Sequence, residues 1–326
     1  MLLCRQPYAL ETMFQNWPDE DAASGALSVF DWIFNQHDCD FQKWYCSVDA
    51  TRGRSRLTSR GLPLEWCFAS HDSSLRYATE VIDPGQAKTK AITRALTLCR
   101  QFGQGVGDDQ FKPLIDLQAN QNLAFGAWLG GRHQGNKAHF KVYAEIPQNA
   151  SGSEIASKLW PVINEAYPVL FGALPGFAGR EIYYHLKENS RACLLESLSS
   201  LPGEAENLYN PLMAAFSRIV DQQNPNIFPA SDVGLGVSLN GEGGVENITL
   251  YHFADDLWKS DQKAYQALVP ILENTGLADA AHQYAQCAQT IGIKPDASPM
   301  YHDTVGVCAG NDGKISYYVC LAPPES

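Results

Sequence analysis

The sequence predicts an α+β fold, a ten-stranded antiparallel β-barrel with its helices outside. Three observations lead there. Five hairpin signals recur along the 326 residues, with turns centred near 72, 135, 189, 243 and 312. Between them the apolar spacing switches from the strand period to the helical one. Each hairpin has one oily face and one mixed face. Helices can cover the first and a lumen can hold the second, and closing the sheet removes its edges.

Residues 1–20 read as irregular, and 21–36 as a helix with Leu27, Phe30 and Phe34 on one face. Residues 41–48 suit a short strand or a helix end, followed by a basic loop at 51–56. The first hairpin runs through Gly61-Leu62-Pro63-Leu64-Glu65-Trp66-Cys67-Phe68, turns at His71-Asp72-Ser73-Ser74 and returns through Arg76 and Glu80. Alternation puts Leu64, Trp66 and Phe68 on one face, and Glu65 and Cys67 on the other with Arg76. Ile92, Ala95, Leu96 and Cys99 then mark an amphipathic helix, and a loop is expected at 103–113. The second hairpin occupies 123–131 and 138–146.

Ser151-Gly152-Ser153-Glu154 has the form of a capping box opening a helix through Ile155, Leu159, Val162 and Ala166, with Pro161 and Pro168 kinking or ending it. The third hairpin is expected at 180–186 and 191–197, about Lys187-Glu188-Asn189-Ser190. Pro202-Gly203 opens a helix carrying Leu208, Leu212, Ala215, Phe216 and Ile219. Hairpin four is 233–239 and 245–253, helices follow at 260–275 and 277–291, and hairpin five is 300–308 and 314–321. Nothing signals a linker, so residues 1–326 read as one domain.

A net charge of −12 and a pI near 5.1 argue against nucleic acid as a partner, so any anionic ligand must be held by a local cluster of cations. Nine scattered cysteines without a CxxC pair fit free thiols in a reducing compartment. No secretory signal and no apolar run of about 18 residues is seen, so the expected location is cytoplasmic, with no membrane partner.

Projecting the inward parity onto the strands fills the lumen with Arg76, Lys141, Arg191 and Lys314, beside Tyr143, Tyr251 and Tyr318. Cations can hold a diphosphate through charge-assisted hydrogen bonds, and tyrosine rings can stabilise a nearby carbocation. That pairing suits an allylic diphosphate, which ionises to an allyl cation and diphosphate. Trp128 can stack on an acceptor ring, and His185 can face the lumen; both are assigned to the acceptor.

The stretch from Gly61 to Glu65 with Arg76 eleven residues on, together with Lys141-Val142-Tyr143, resembles the first two repeats of the soluble aromatic prenyltransferases of the αββα-barrel (PT-barrel, ABBA) family. That family includes the indole prenyltransferases, and the cyanobacterial peptide prenyltransferases share its fold. Thr249-Leu250-Tyr251 and Ser316-Tyr317-Tyr318 are similar to its later strands. The resemblance covers residues from about 20 to the end. It implies five αββα repeats and transfer of a dimethylallyl or longer prenyl group to an aromatic or peptide side-chain acceptor. It also implies that Glu65 is the catalytic acceptor-side carboxylate and that Arg76, Lys141 and Tyr143 bind diphosphate. The chain departs from the pattern at Arg191-Ala192-Cys193 and at Thr249, where a cation could stand.

No Asp-rich motif pair is present, so magnesium is not demanded, though it can accompany the diphosphate. No histidine has a metal-ligand spacing, and no resident metal is expected. Walker A, G-x-S-x-G and H-E-x-x-H patterns are missing. The reading of a different class is a non-catalytic barrel for an apolar or prenylated ligand. The cation cluster separates the two, because a carrier of neutral lipid needs no bases in its lumen.

Overall fold

Every strand pairs antiparallel with its neighbours in sequence, and the last pairs with the first to shut a ten-stranded barrel. The strands are β1 (Leu64–Ala69), β2 (Leu75–Glu80), β3 (Ala127–Gln134), β4 (Lys137–Glu145), β5 (Ala166–Ala173), β6 (Arg180–Leu186), β7 (Val233–Leu239), β8 (Val245–Phe253), β9 (His302–Gly310) and β10 (Ile315–Leu321). The closing seam sets Trp66 against Leu321, Cys67 against Cys320 and Phe68 against Val319. The computed structural model describes residues 14, 17–35, 55–83, 85–104, 108–150, 158–220, 226–229, 232–291, 293 and 300–323. The capping box, residues 41–48 and most of the basic loop lie outside them.

Among the described residues the helices are α1 (Glu20–Asn35), α2 (Ala91–Gln101), α3 (Lys112–Gln118), α4 (Arg191–Ser199), α5 (Tyr209–Ile219), α6 (Ala254–Trp258), α7 (Asp261–Asn274) and α8 (Ala278–Ile291). Their apolar faces cover the oily outer wall of the barrel. Phe30 of α1 meets Tyr77 of β2 with ring centroids 4.9 Å apart, Phe68 of β1 meets Tyr284 of α8 at 5.5 Å, and Phe216 of α5 stacks on His252 of β8 at 4.6 Å. Each such fully buried ring contributes about 1.5–3 kcal/mol by leaving water. Asp19 accepts from the Ala22 N–H at 3.0 Å, capping α1, and from the Gly135 N–H at 2.8 Å, tying the β3–β4 turn to that helix start.

Four hairpins fall near where the sequence places them, although β3 runs from Ala127 to Gln134 rather than over 123–131 and so takes in Arg132; the third does not. Its strands are β5 and β6, joined at 174–179, and the run expected as its second strand is α4. Ser190 ends the strand reading because its hydroxyl accepts from the Cys193 N–H at 3.1 Å, the bond of a helix cap. Behind it Cys193, Leu194, Ser197 and Leu198 are buried at helical spacing. β5 was hidden by Pro168, which sits at a register shift between Pro168 and Leu170, where a missing N–H is tolerated. Ala166 is accordingly in a strand, and part of the loop expected at 103–113 is the start of α3.

The inner wall obeys a steric rule. In hairpins two to five the first strand carries inward glycines and the second an inward tyrosine: Gly172 faces Tyr143 across β4–β5, Gly236 faces Tyr183, and Gly306 faces Tyr251 and Tyr318. A Cβ at Gly130 would come 2.8 Å from the Tyr143 ring, at Gly236 2.9 Å from Tyr251, and at Gly306 2.8 Å from Tyr251. The rings therefore lie flat over bare backbone. We expect Gly306→Ala to cost about 1–3 kcal/mol, the scale of overpacking. Tyr251→Ala in the same chain should restore most of it relative to Tyr251→Ala alone. Urea unfolding of the four proteins measures this; equal cost in both backgrounds would refute the interlock.

Candidate active site in the barrel lumen

The first two hairpins bring a cationic group together at the turn end of the lumen. Arg76 of β2 and Arg132 of β3 are directly paired in the sheet and point inward. Both reach the carboxylate of Asp72: Arg132 at 2.8 Å, and Arg76 in a direct ion pair. The Ser74 hydroxyl oxygen accepts from Arg76 Nε at 3.2 Å and from Arg132 Nε at 3.1 Å. Burial works against ionising Asp72, but Arg76 and Ser74 outweigh it and hold the carboxyl down at about 2. Burial likewise opposes the Arg76 charge, and Asp72 more than restores it.

Lys141 of β4 lies next along the wall. It is ion-paired with Glu181 of β6, donates to the Tyr183 hydroxyl at 3.3 Å, and stands 4.9 Å from the centre of the Tyr143 ring. Tyr183 donates to Glu181 at 2.5 Å. Burial lowers the Lys141 pKa against the opposing pull of Glu181. For Glu181, burial is outweighed by Lys141 and the Tyr183 hydroxyl, so the carboxyl stays below its usual range. Rings continue around the wall: Tyr183 meets Tyr143 at 6.0 Å and Tyr251 at 5.8 Å, while Tyr318 meets His71 at 5.5 Å. Burial raises the Tyr143, Tyr183 and Tyr251 hydroxyls well above 10, so they remain donors.

Glu65 is buried on the same inner wall, with its carboxyl 3.7 Å from Cys67 Sγ. Its register partner is Ala78, and Arg76 sits opposite Cys67 instead. Arg76, which shares the inner face with Glu65 as the alternation predicts, is ion-paired with Asp72. Burial first, then the neighbouring Cys67 and Asp303, raise the Glu65 pKa well above the ordinary carboxylate value.

Of the remaining expected residues, Tyr251, Tyr318 and Trp128 face the lumen. Trp128 pairs with Tyr143 across β3–β4, stacks on Phe125 at 3.9 Å and donates from Nε1 to Glu80 at 3.1 Å. His185 lies on the inner face of β6 at the end away from the hairpin turns, bonded to Asp232 at 2.7 Å. Arg191 does not reach the lumen, since α4 carries it outside the barrel. Lys314 is also lost to the site: it sits in the β9–β10 turn with a side chain 81% exposed, paired with Asp312 at 2.6 Å. Glu145 is consumed structurally, accepting from the Ala124, Phe125 and Gly126 N–H groups.

Sequence reasoning missed Asp72, Arg132, Glu181, Tyr183 and Glu80. Glu181 and Tyr183 lie on β6, the second strand of the third hairpin, which the sequence reading places one strand late. The signal for Tyr183 was present in Gly172, one of the strand glycines that face a ring. The structure also gathers Glu65, Cys67 and Cys320, whose ligand atoms lie within 4.8 Å of one another, a grouping no local spacing announces.

No protein-family profile matches the chain, and no curated protein does. Solved structures do share its fold. The 5-dimethylallyl tryptophan synthase from Streptomyces coelicolor, in complex with DMASPP and Trp, is 12% identical at a TM-score of 0.76, over 97% of this chain and 93% of that one. AnaPT from Neosartorya fischeri is 12% identical at 0.70, over 98% and 92%. The 6-dimethylallyltryptophan synthase from Micromonospora olivasterospora, also in complex with DMASPP and Trp, is 13% identical at 0.65, over 84% and 87%. The barrel is therefore the αββα barrel seen in aromatic prenyltransferases. No helix among the described residues is long and apolar enough to cross a membrane.

Glu80 gives this wall a pH signature. Its Oε1 accepts from Ser55 at 2.7 Å and from Trp128, its Oε2 is buried without a partner among the described residues, and burial pushes its pKa from 4.5 to about 7. A raised carboxyl pKa means that the folded chain holds the proton more tightly than the unfolded one. The resulting stability is complete below about 4.5 and is lost as pH rises through about 7. Glu80→Gln, which mimics the protonated acid, should remove that loss. Its stability relative to the parent should rise by on the order of 2–3 kcal/mol between about pH 4.5 and about pH 8. Urea unfolding at both pH values reads the difference, and an unchanged difference would reject the shift.

Proposed function

We propose that the protein is a prenyltransferase that moves a dimethylallyl or longer prenyl group from its diphosphate to an aromatic acceptor, with an indole as the first candidate. One observation carries the reading. Arg76, Arg132 and Lys141 converge at one end of a lumen walled by Tyr143, Tyr183, Tyr251 and Tyr318, with the buried carboxyl of Glu65 on the same wall. The likeness of fold to enzymes solved with DMASPP and Trp supports the same choice of donor and acceptor.

In this reading the three cations take the diphosphate oxygens, loosening the pairs they make with Asp72 and Glu181. The allylic C–O bond breaks, and its electron pair leaves with the diphosphate. The cations stabilise that leaving charge, and the tyrosine faces stabilise the allyl cation while excluding water. An acceptor ring carbon attacks the cation, forming the new C–C bond, and the ring then loses the proton from that carbon. Glu65, once ionised, accepts a hydrogen bond from the acceptor N–H as that group becomes positive, and assists the proton's departure. Trp128 and His185 lie where they can bound the acceptor. The reading requires no resident metal; magnesium can travel with the diphosphate as part of the substrate. The free thiols of Cys67, Cys99, Cys193, Cys287, Cys308 and Cys320 support a reducing compartment, which we take to be the cytoplasm.

Incubation with dimethylallyl diphosphate and a panel of indoles, phenols and aromatic peptides, read by mass, tests the function; no prenylated product with any acceptor would reject it. Arg76→Ala and Lys141→Ala should each lower kcat/KM on the order of 10²–10³, the scale of losing one preorganised charge-stabilising donor. Glu65→Gln should lower transfer strongly while leaving donor affinity close to wild type. Because burial raises the Glu65 pKa, wild-type kcat/KM should climb with pH to a plateau whose midpoint lies above the ordinary carboxylate range. A parallel fall of donor binding and turnover in Glu65→Gln would reduce Glu65 to a structural role.

A further inference from the structure

The seam that closes the barrel places two thiols face to face. Cys67 of β1 and Cys320 of β10 are direct register partners, with their Sγ atoms 3.4 Å apart. Glu65 lies two residues before Cys67 on the same inner face, with its carboxyl 3.7 Å from Cys67 Sγ. Both cysteines are partly exposed and Glu65 is buried, so the group opens toward the lumen.

These two separations are close to the edges of a tetrahedron around one ion, and the third, from Cys320 Sγ to the Glu65 carboxyl, lies within 4.8 Å. With Zn–S near 2.3 Å and Zn–O near 2.1 Å, tetrahedral S···S and S···O edges are about 3.8 and about 3.6 Å. Thiolates select zinc over magnesium or calcium, which require sets of oxygen ligands. Charge also fits. Two thiolates and a carboxylate around a divalent ion leave one negative charge, and Arg76 stands opposite Cys67 across β1–β2. Three protein ligands leave the fourth position toward the lumen, the pattern of exchangeable rather than purely structural zinc sites.

We infer that Glu65, Cys67 and Cys320 form a zinc-binding site in the barrel wall. Binding displaces the two thiol protons, and the carboxyl proton where present, to solvent; affinity therefore falls on acidification. Zinc would also take the carboxylate that prenyl transfer requires, so occupancy inhibits the enzyme. That consequence rests on the role proposed for Glu65, whereas metal binding itself does not.

The test uses the full-length, reduced protein titrated with Co²⁺ as a spectroscopic stand-in and then with Zn²⁺. We expect thiolate-to-cobalt charge-transfer absorption saturating at one equivalent and bleached by zinc, with Cys67 and Cys320 protected from alkylation. Cys320→Ser and Cys67→Ser should each abolish the absorption, Glu65→Gln should weaken binding at least tenfold, and Cys308→Ser, elsewhere on the lumen wall, should retain it. Far-ultraviolet circular dichroism of each variant checks that the barrel is formed; if Cys67→Ser does not fold, Cys320→Ser decides. No cobalt absorption, or absorption that survives both serine variants, would overturn the site. A protein that binds cobalt in this way but transfers no prenyl group would keep the metal site and discard only the inhibition.

Discussion

The lumen depends on tyrosine rings lying flat against bare backbone. An inward strand position ordinarily carries a Cβ, and ten strands of side chains would fill much of the interior. Here Gly130, Gly172, Gly236 and Gly306 withdraw that atom beside Tyr143, Tyr183 and Tyr251. The rings fold down onto the wall and the space in front of them is preserved. Glycine weakens a strand, since it leaves no side chain to pack and is costlier to order. Closure of the sheet compensates, because each glycine-bearing strand is bonded on both sides and covered outside by helices. The cavity-forming residues and the closed topology therefore need each other.

Most of the fold was legible in the sequence because two periodicities alternate cleanly. Phe140, Val142 and Ala144 against Lys141, Tyr143 and Glu145 leave little freedom in the assignment of β4, and Ile92 to Cys99 leave little in that of α2. The third hairpin failed for a local reason. Pro168 disguised β5, and a capping serine at Ser190 looked like a turn because caps and turns use the same residue types. The site inherited that error: Arg191 was counted and Tyr183 was not. Lys314 failed differently, by one residue, because a position just beyond a strand keeps its parity but not its confinement. Contacts such as Arg76–Asp72 and Cys67–Cys320 depend on how the strands close in space, which alternation alone does not specify.

Electrostatically the lumen has two ends. Arg76, Arg132 and Lys141 lie toward the hairpin turns, each held by Asp72 or Glu181, while Glu80, Asp303 and the His185–Asp232 pair lie toward the other end. In a chain with net charge −12, these cations form a local positive group at one end of the lumen. The carboxylates beside them have a positive function: buried cations without counter-ions would be costly, so Asp72 and Glu181 keep them charged and oriented.

Glu65 marks the junction of the two ends, and its environment accounts for why one carboxyl can serve several uses. Burial and the neighbouring Cys67 and Asp303 disfavour its charge, and among the described residues no cation is bonded to it. Such a group carries its charge at a cost, and a positive species beside it favours the ionised form. A developing arenium ion is one such species and a divalent cation between two thiols is another. Both draw on the same unsatisfied tendency, which a standing Arg76–Glu65 ion pair would have removed. By bonding Arg76 to Asp72 instead, the first hairpin keeps that pair from forming, and the choice of partner made in one tight turn thereby sets the environment of a buried carboxyl a few residues away.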